Sequence, residues 1–255
     1  MKPHKTISTP MLAAIGAGVL VGLLFLSYVL SSGLLHERST GITLPDGNTD
    51  TPVVSQGSHM LTAQSVADIE IGTGNAQSVI ASLTRPTAYS CSIENTLYYD
   101  GGSSALRCRR YAQDDVVRTD TLSESGSVQS TLIRDGDTAY AWDTGDSTAY
   151  QGKWGDFTDD AAAMLPTYED VLDEGIELLS AGRQDVDFEP CIMVEFEQGG
   201  YRCVYYVSAA TGLLKTASFY SGDTLTRQVT VSALQTDAPD EELFALPDGT
   251  SLLGE

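Results

Sequence analysis

Histidine is scarce in this sequence, and the part that is expected to fold as a globular domain has none. The three histidines, His4, His36 and His59, all precede residue 61. Histidine is the commonest general base in enzymes and the commonest metal ligand in proteins. Residues 61–255 therefore cannot assemble a Ser-His-Asp or Cys-His catalytic arrangement, and we predict neither a metal site nor a cofactor.

Basic residues are also few, because 14 Lys and Arg stand against 35 Asp and Glu, for a net charge of −21. Eleven of the basic residues and thirty-two of the acidic ones lie in residues 61–255, which accounts for the whole net charge. Nucleic acids and anionic lipid surfaces bind to basic protein surfaces. Nucleic acid is thus excluded as a partner, and the acidity is interpreted as that of a solvated surface.

Several catalytic and ion-binding motifs are missing as well. The chain has no Gly-x-Ser-x-Gly sequence, no glycine-rich phosphate loop before a helix and no calcium-loop spacing. Two pairs of adjacent carboxylates, Asp114 with Asp115 and Asp159 with Asp160, have the residue type that glycosidases use. Among thirty-two acids such neighbours arise by chance, so we interpret them as surface residues and predict no enzyme and no catalytic residue.

Only four cysteines occur, and none follows an apolar segment closely enough to carry a lipid anchor: Cys91, Cys108, Cys191 and Cys203. Neither neighbouring pair has the Cys-x-x-Cys spacing of zinc sites. Outside the cytoplasm such thiols can oxidise. We predict two disulfides, Cys91–Cys108 and Cys191–Cys203, because each pair brackets a predicted hairpin, while the two other connectivities stay open.

Residues 11–35 contain no charged residue and are long enough to span a bilayer, for which about 20 residues suffice. Lys2, His4 and Lys5 precede this segment, and a basic flank normally stays in the cytoplasm. We therefore predict a cytoplasmic tail over residues 1–10 and a transmembrane signal anchor over residues 11–35. The protein is expected in the cell membrane as a single-pass protein with an extracytoplasmic C-terminal domain. A cleaved signal peptide is the alternative, but its apolar region normally spans only about 7 to 15 residues.

Residues 36–60 are rich in Gly, Thr, Pro, Asp and Ser and are predicted to be a flexible linker. The extracytoplasmic domain is assigned to residues 61–255. A first helix is predicted over residues 75–83, before Pro86. Alternating apolar residues between turn-forming segments predict strands at residues 89–99, 105–112, 116–123, 127–134, 138–143, 191–197, 201–207, 214–220 and 225–233.

A second helix is predicted after Thr167, which can cap it together with Asp170 three residues later. Its apolar stripe, which ends before Gly182, consists of Tyr168, Val171, Leu172, Ile176 and Leu179. The order of helix, five strands, helix and four strands predicts an α+β fold. We expect a curved antiparallel β half-barrel with two helices on its concave face, preceded by the transmembrane helix.

Four aromatic residues surround a Gly- and Asp-rich turn: Tyr140, Trp142, Trp154 and Phe157. They are expected either to fill the core between the sheet and the helices or to line an apolar ligand cavity under the curved sheet. The sequence alone leaves both interpretations open.

Two sets of motifs resemble known proteins. Residues 205–220 and 225–231, followed by Leu243, Phe244 and Pro247, are similar to the closing strands of the LolA/RseB superfamily of lipoprotein carriers. That family has a turn of the form Asp-x-x-Thr-Gly-Leu-Pro, and here Leu214 replaces the proline. Residues 167–172 and 242–249 resemble anchored proteins of Gram-positive bacteria. Together the resemblances cover residues 65–250.

This resemblance implies an extracytoplasmic half-barrel that binds a lipid, a lipoprotein or another protein, and it transfers no functional residue. The expected function is a membrane-anchored, noncatalytic binding module for a lipid, a lipoprotein or another apolar ligand. The alternative is a protein-interaction scaffold or a sensor subunit of a cell-envelope complex, for example in sporulation or germination, with an envelope protein as its partner.

Overall fold

The computed structural model describes residues 66–156, 162 and 164–253. The chain divides into two units, Met1–Ser55 and Gln56–Glu255. The predicted tail, anchor and linker, and also Phe157, lie outside the described residues. Within the described ranges, no helix is long and apolar enough to cross a membrane.

One curved antiparallel sheet of eleven strands forms most of the described structure, in the order β6-β5-β4-β3-β2-β1-β11-β10-β9-β8-β7. The sheet is not closed, so β6 and β7 are edge strands. Its strands are β1 (Ala88–Tyr99), β2 (Gly102–Gln113), β3 (Val116–Leu122), β4 (Val128–Asp135), β5 (Thr138–Asp143), β6 (Tyr150–Lys153), β7 (Leu178–Val186), β8 (Glu189–Gln198), β9 (Tyr201–Ser208), β10 (Leu214–Ser221) and β11 (Thr224–Gln235).

The expected large, curved and open antiparallel sheet with few helices is confirmed. All nine predicted strands are present, and the two edge strands β6 and β7 were missed. Both have only one neighbouring strand, and most of their residues are half-buried or exposed. Edge strands therefore lack the strict apolar alternation on which the strand predictions depend.

The helices are α1 (Ala76–Ala81) and two short 3₁₀ helices, η1 (Tyr168–Leu172) and η2 (Glu241–Phe244). The first predicted helix is confirmed as α1, although it is shorter than expected. The second prediction is wrong beyond its first turn. The Thr167 hydroxyl accepts a hydrogen bond from the Glu169 amide, and Asp170 accepts one from the Thr167 amide, as predicted.

The helix ends at Asp173, whose ψ of 142° is not helical, and Gly175 prevents it from resuming. The Gly175 φ of 93° belongs to the left-handed region, which interrupts a right-handed helix. Leu179, which was predicted to belong to the helix, and Gly182, which was predicted to follow its end, both lie in β7. Gly182 is opposite Met193 of β8, and Leu179 lies at an irregularity of this pairing. Pairing at the sheet edge thus overrides the helical spacing of the apolar residues.

The main core lies on the face of the sheet that is covered by α1 and η1, which is hereafter the inner face. There α1 contacts β8 and η1, and η1 contacts β9. The Phe196 and Tyr205 rings, both fully buried, lie 5.1 Å apart. The Gln77 side chain donates to the Val171 carbonyl at 2.9 Å, which joins α1 to η1.

A second, separate core lies on the opposite face of the sheet, hereafter the outer face. Phe244 of η2 is fully buried there against Val116 and Ile133. Arg118 donates to the Leu243 carbonyl at 2.6 Å and forms an ion pair with Asp120 at 2.7 Å. The segment of residues 240–253 therefore closes the outer face of β3 and β4.

The predicted disulfides are a further correction, because all four cysteines are free and buried. Cys91 is opposite Arg110, and Cys108 is opposite Ile93, so the two thiols are diagonal neighbours. Diagonal neighbours are about 7 to 8 Å apart, beyond the usual Cα separation for a disulfide.

For the second pair, Cys191 is opposite Ser208, and Ser208 is five residues from Cys203 on β9. An odd separation along a strand places two side chains on opposite faces. Cys191 and Cys203 therefore cannot be bridged without moving the backbone.

Candidate functional site

The inner face of β1 to β4 is incompletely filled and leaves a cavity of 370 Å³. This volume falls within the range of small-molecule sites, about 300 to 1,000 Å³. The cavity is also lined by residues 85–87, by residues 213–214 at the start of β10, and by Ala162 with residues 165–169, which are hereafter the cover loop. It lies toward the end of the sheet that carries the β2–β3 and β4–β5 turns, hereafter the cavity end.

Cross-strand pairing brings the wall of the cavity together, because residues directly opposite one another share a face. One row across β1 to β4 consists of Cys91, Arg110, Thr119 and Leu132, and the row nearer the cavity end consists of Tyr89, Ala112, Val117 and Arg134. All eight line the cavity, together with Ile93 of β1 and Val231 of β11. The wall is mainly apolar, with two arginines placed in it.

Arg85 holds the loop that covers the cavity. Its guanidinium stacks over the Tyr168 ring at 3.6 Å from the centroid and donates to carbonyls that include Gly212 at 3.0 Å and Leu83 at 3.1 Å. Burial lowers the pKa of Arg85. Gly212 has a φ of 66°, and a Cβ there would lie 2.8 Å from Cγ of Arg85, so this approach requires glycine.

Arg134, the second arginine of the cavity, also binds neighbouring groups of the protein. It forms an ion pair with Glu169 at 3.9 Å, donates to the Gly136 carbonyl at 3.1 Å and lies 5.0 Å from the centroid of the Trp154 ring. These contacts join the cover loop to β4. Half-exposed ion pairs of this kind contribute little stability, so their role is to position the loop.

Arg110 differs from the other two arginines of the cavity. Its Nε donates to Thr119 Oγ1 at a long 3.5 Å, and among the described residues it forms no ion pair. Burial raises the pKa of Tyr89, and it raises the pKa of Cys91 to about 11, while the Arg110 charge lowers both. At neutral pH the phenol and the thiol are thus uncharged, and Arg110 is the cation between them.

The structure separates the four aromatic residues predicted to line a cavity. Trp154 lines it and packs near Leu132, Ala139 and Ala162. Tyr140 and Trp142 pair with Ile133 and Thr131 and lie on the outer face.

The predicted cavity lining is therefore corrected for Tyr140 and Trp142, because side chains of β5 alternate between the two faces. Phe157 lies outside the described residues. No group of three or more potential metal ligands occurs within the described ranges.

The sequence interpretation missed Arg110 and Arg134. A signal for Arg110 existed, since Cys108, Arg110 and Ala112 alternate along β2 and a charged residue there occupies an inward position. Arg134 had no comparable signal, because its place depends on the pairing with Ala139 and on the fold of the cover loop.

Comparison with known proteins gives structural neighbours only; no family model and no curated protein sequence matches the chain. A conserved protein of Thermus thermophilus is 9% identical, with a TM-score of 0.43 over 61% of this chain and 82% of that one.

A LolA superfamily protein from Nitrosomonas europaea is 10% identical, with a TM-score of 0.36 over 69% of this chain and 98% of that one. MucB, solved in complex with MucA, is 15% identical, with a TM-score of 0.36 over 71% of this chain and 58% of that one. One of these neighbours thus belongs to the superfamily that the sequence motifs resemble. At such low identities and TM-scores, the neighbours say nothing about what this chain binds.

Proposed function

We propose that the chain is a noncatalytic binding module whose inner-face cavity holds an apolar or amphipathic ligand, such as a lipid or the acyl chain of a lipoprotein. The cavity of 370 Å³ supports this most directly. It is lined by apolar side chains from strands that are distant in sequence: Ile93, Leu132, Leu214 and Val231. Leu165 of the cover loop also lines it. A small-molecule site is typically such a concave apolar surface with a few fixed polar groups.

The location of the module is part of the same proposal. Residues 11–35 act as a signal anchor in the cell membrane and hold the domain outside the cytoplasm. A ligand of low solubility would then be bound next to the membrane that supplies it. Protease added to intact protoplasts would remove the domain, and protection of the domain would contradict this orientation.

A test of ligand binding can use the position of the two tryptophans, which are the only ones in the chain. Trp154 lines the cavity, whereas Trp142 lies on the outer face. N-phenylnaphthylamine, a neutral apolar probe, would be titrated into delipidated residues 56–255 of the Trp142→Phe variant. We expect saturable binding at one site with quenching of Trp154.

The matched control is the Trp154→Phe variant, in which Trp142 should show no saturable quenching although the probe still binds. Native mass spectrometry of the purified domain would show whether a lipid copurifies. Absence of saturable binding to the Trp142→Phe variant, with its fold intact by circular dichroism, would rule out the cavity as a ligand site.

A protein-interaction scaffold or sensor subunit of an envelope complex is the second candidate. It is supported by exposed Leu97, Tyr99 and Tyr201, which lie at the end of the sheet opposite the cavity end. Exposed apolar side chains of this kind can mark a protein-interaction surface where they form a large patch. This function becomes the leading one if the cavity binds no probe.

A further inference from the structure

Arg110 is the arginine of the cavity wall that has no acidic partner among the described residues. Among the three arginines that line the cavity, Arg85 donates to four backbone carbonyls and Arg134 is paired with Glu169. Arg110 has only the 3.5 Å bond from Nε to Thr119, so the two terminal nitrogens of its guanidinium have no assigned acceptor among the described residues. Arg110 is half-buried, and its terminal nitrogens remain accessible to solvent, so they can donate to an anionic group that enters the cavity.

The charges around Arg110 also differ from those of the domain as a whole. Three of the eleven basic residues in residues 61–255 line this one cavity, where they meet three acids, although acids outnumber bases about threefold in the domain. The acids are Asp114 and Asp115, at the β2–β3 turn of the cavity end, and Glu169, which is paired with Arg134. Arg110 lies farther from the cavity end than the two aspartates, because it is in the row of Cys91, Thr119 and Leu132.

The volume of the cavity limits the size of what Arg110 can meet. At 370 Å³ it lies near the lower end of the range for small-molecule sites, which suits one acyl chain rather than the several chains of a multiply acylated lipid. Ile93 of β1 and Val231 of β11 form a cross-strand pair on one side of Arg110, and Leu132 of β4 lies on its other side. A single chain along Ile93 and Val231 would place its head group at Arg110.

We infer that the ligand is a single-chain amphiphile with an anionic head group, such as a fatty-acid carboxylate, and that Arg110 binds the head group while the apolar wall binds the chain. This inference rests on the proposed function and names its ligand class. A guanidinium matches a carboxylate with two parallel charge-assisted hydrogen bonds. The acidic surface of the domain and the aspartates at the cavity end, Asp114 and Asp115, disfavour the binding of free small anions. The buried chain must therefore supply most of the binding free energy.

The inference is tested by displacement of N-phenylnaphthylamine from residues 56–255 at about pH 8, where a carboxylate is ionised. The competitors are dodecanoate, used below its micelle concentration, and dodecanol, used below its solubility limit. They share a chain and differ in the charge of the head group. We expect dodecanoate to displace the probe at a concentration at least roughly tenfold lower than dodecanol.

Two variants test whether Arg110 causes this preference for dodecanoate. Arg110→Gln should remove it and leave displacement by dodecanol unchanged. Arg109→Gln is the matched control, because Arg109 is the neighbouring residue on the outer face and is exposed. It should behave as the parent does. Thermal unfolding of both variants would confirm that they are folded.

The outcomes separate the two proposals. Equal displacement by the two competitors, or a preference that survives in Arg110→Gln, would overturn the role of Arg110 and leave the binding module standing. Displacement by acetate or inorganic phosphate at the concentrations of dodecanoate would show a free-anion site and overturn the amphiphile. Failure of the probe to bind the parent at all would overturn the proposed function itself.

Discussion

The two faces of β3 and β4 are built from alternate residues of the same strands, yet one is filled and the other is hollow. On the outer face, residues 240–253 return across the strands and bury Phe244 against Ile133, while Trp142 packs at the edge of this cluster. On the inner face the covering loop brings small or stiff residues, among them Ala162 and Pro166, and leaves the cavity. Among the described residues, apolar side chains thus fill one face of β3 and β4 and leave a cavity on the other.

The largest expected effect concerns the filled face. Phe244→Ala removes a fully buried ring and should lower the free energy of unfolding by about 3 to 5 kcal/mol, because it leaves a void in a packed cluster. Urea denaturation followed by circular dichroism measures this change.

Phe188→Ala is its matched control, since Phe188 is fully exposed at the β7–β8 turn and should change stability by less than about 0.5 kcal/mol. A similarly small effect of both variants would mean that the C-terminal segment does not hold the outer face.

Adjacent valines distinguish the two faces more directly. Val116 is buried in the outer cluster, and Val117 lines the cavity. Val116→Phe should overpack its site and cost about 1 to 3 kcal/mol of stability. Val117→Phe has free volume to enter and should cost clearly less, while it abolishes binding of N-phenylnaphthylamine.

Both variants can be compared by urea denaturation and by probe titration. Equal destabilisation by the two substitutions would contradict the contrast between a filled and a hollow face. Unchanged probe binding in Val117→Phe would contradict the position of the ligand.

The smallest expected effect is a difference in how stability depends on pH between Asp170 of η1, on the inner face, and Asp248 of the C-terminal segment, on the outer face. Burial raises the pKa of Asp170 in the inner cover, although hydrogen bonds from Tyr205 and Thr167 partly oppose this. Its contribution to stability is therefore present below the unfolded pKa of about 3.9 and is lost as pH rises through the raised folded pKa. The stability of the parent relative to Asp170→Asn should therefore fall as pH rises above about 3.9 and through the raised folded pKa.

Asp248 in the C-terminal segment is the control of opposite sign. A hydrogen bond from the Thr250 amide lowers the pKa of Asp248, so its contribution is present above the unfolded pKa and is lost as pH falls through the lowered folded pKa. The stability of the parent relative to Asp248→Asn should thus rise with pH over the acidic range. Parallel pH profiles for the two variants would refute the assigned environments.

Much of the fold could be predicted because its determinants are local. Alternation of apolar and polar residues located nine of the eleven strands, and the Thr167 cap with Asp170 located the start of η1. The same local reasoning extended that helix through Gly175 into what is β7, because it did not include the gain from pairing with β8. The disulfide prediction assumed hairpins correctly but could not know that their registers place the thiols diagonally or on opposite faces.

The candidate site shows the same limit. The sequence suggested an aromatic cavity, but only Trp154 of the described aromatic candidates lines it, since the β4–β5 pairing turns Tyr140 and Trp142 outward. Arg110 could have been noticed because alternate residues of β2 face inward and Arg110 is one of them. That it has no acidic partner among the described residues depends on how the surrounding elements pack.

The sequence by itself determined the charge of the domain, the absence of histidine chemistry from it and the positions of most strands, because composition and period-two alternation are properties of short segments. Only the tertiary structure decided which face of each strand is hollow, which side chains from β1 to β4 meet in one wall and which arginine remains unpaired there. These features depend on strand register and on the return of distant segments, and register changes the face of every side chain when it shifts by one residue.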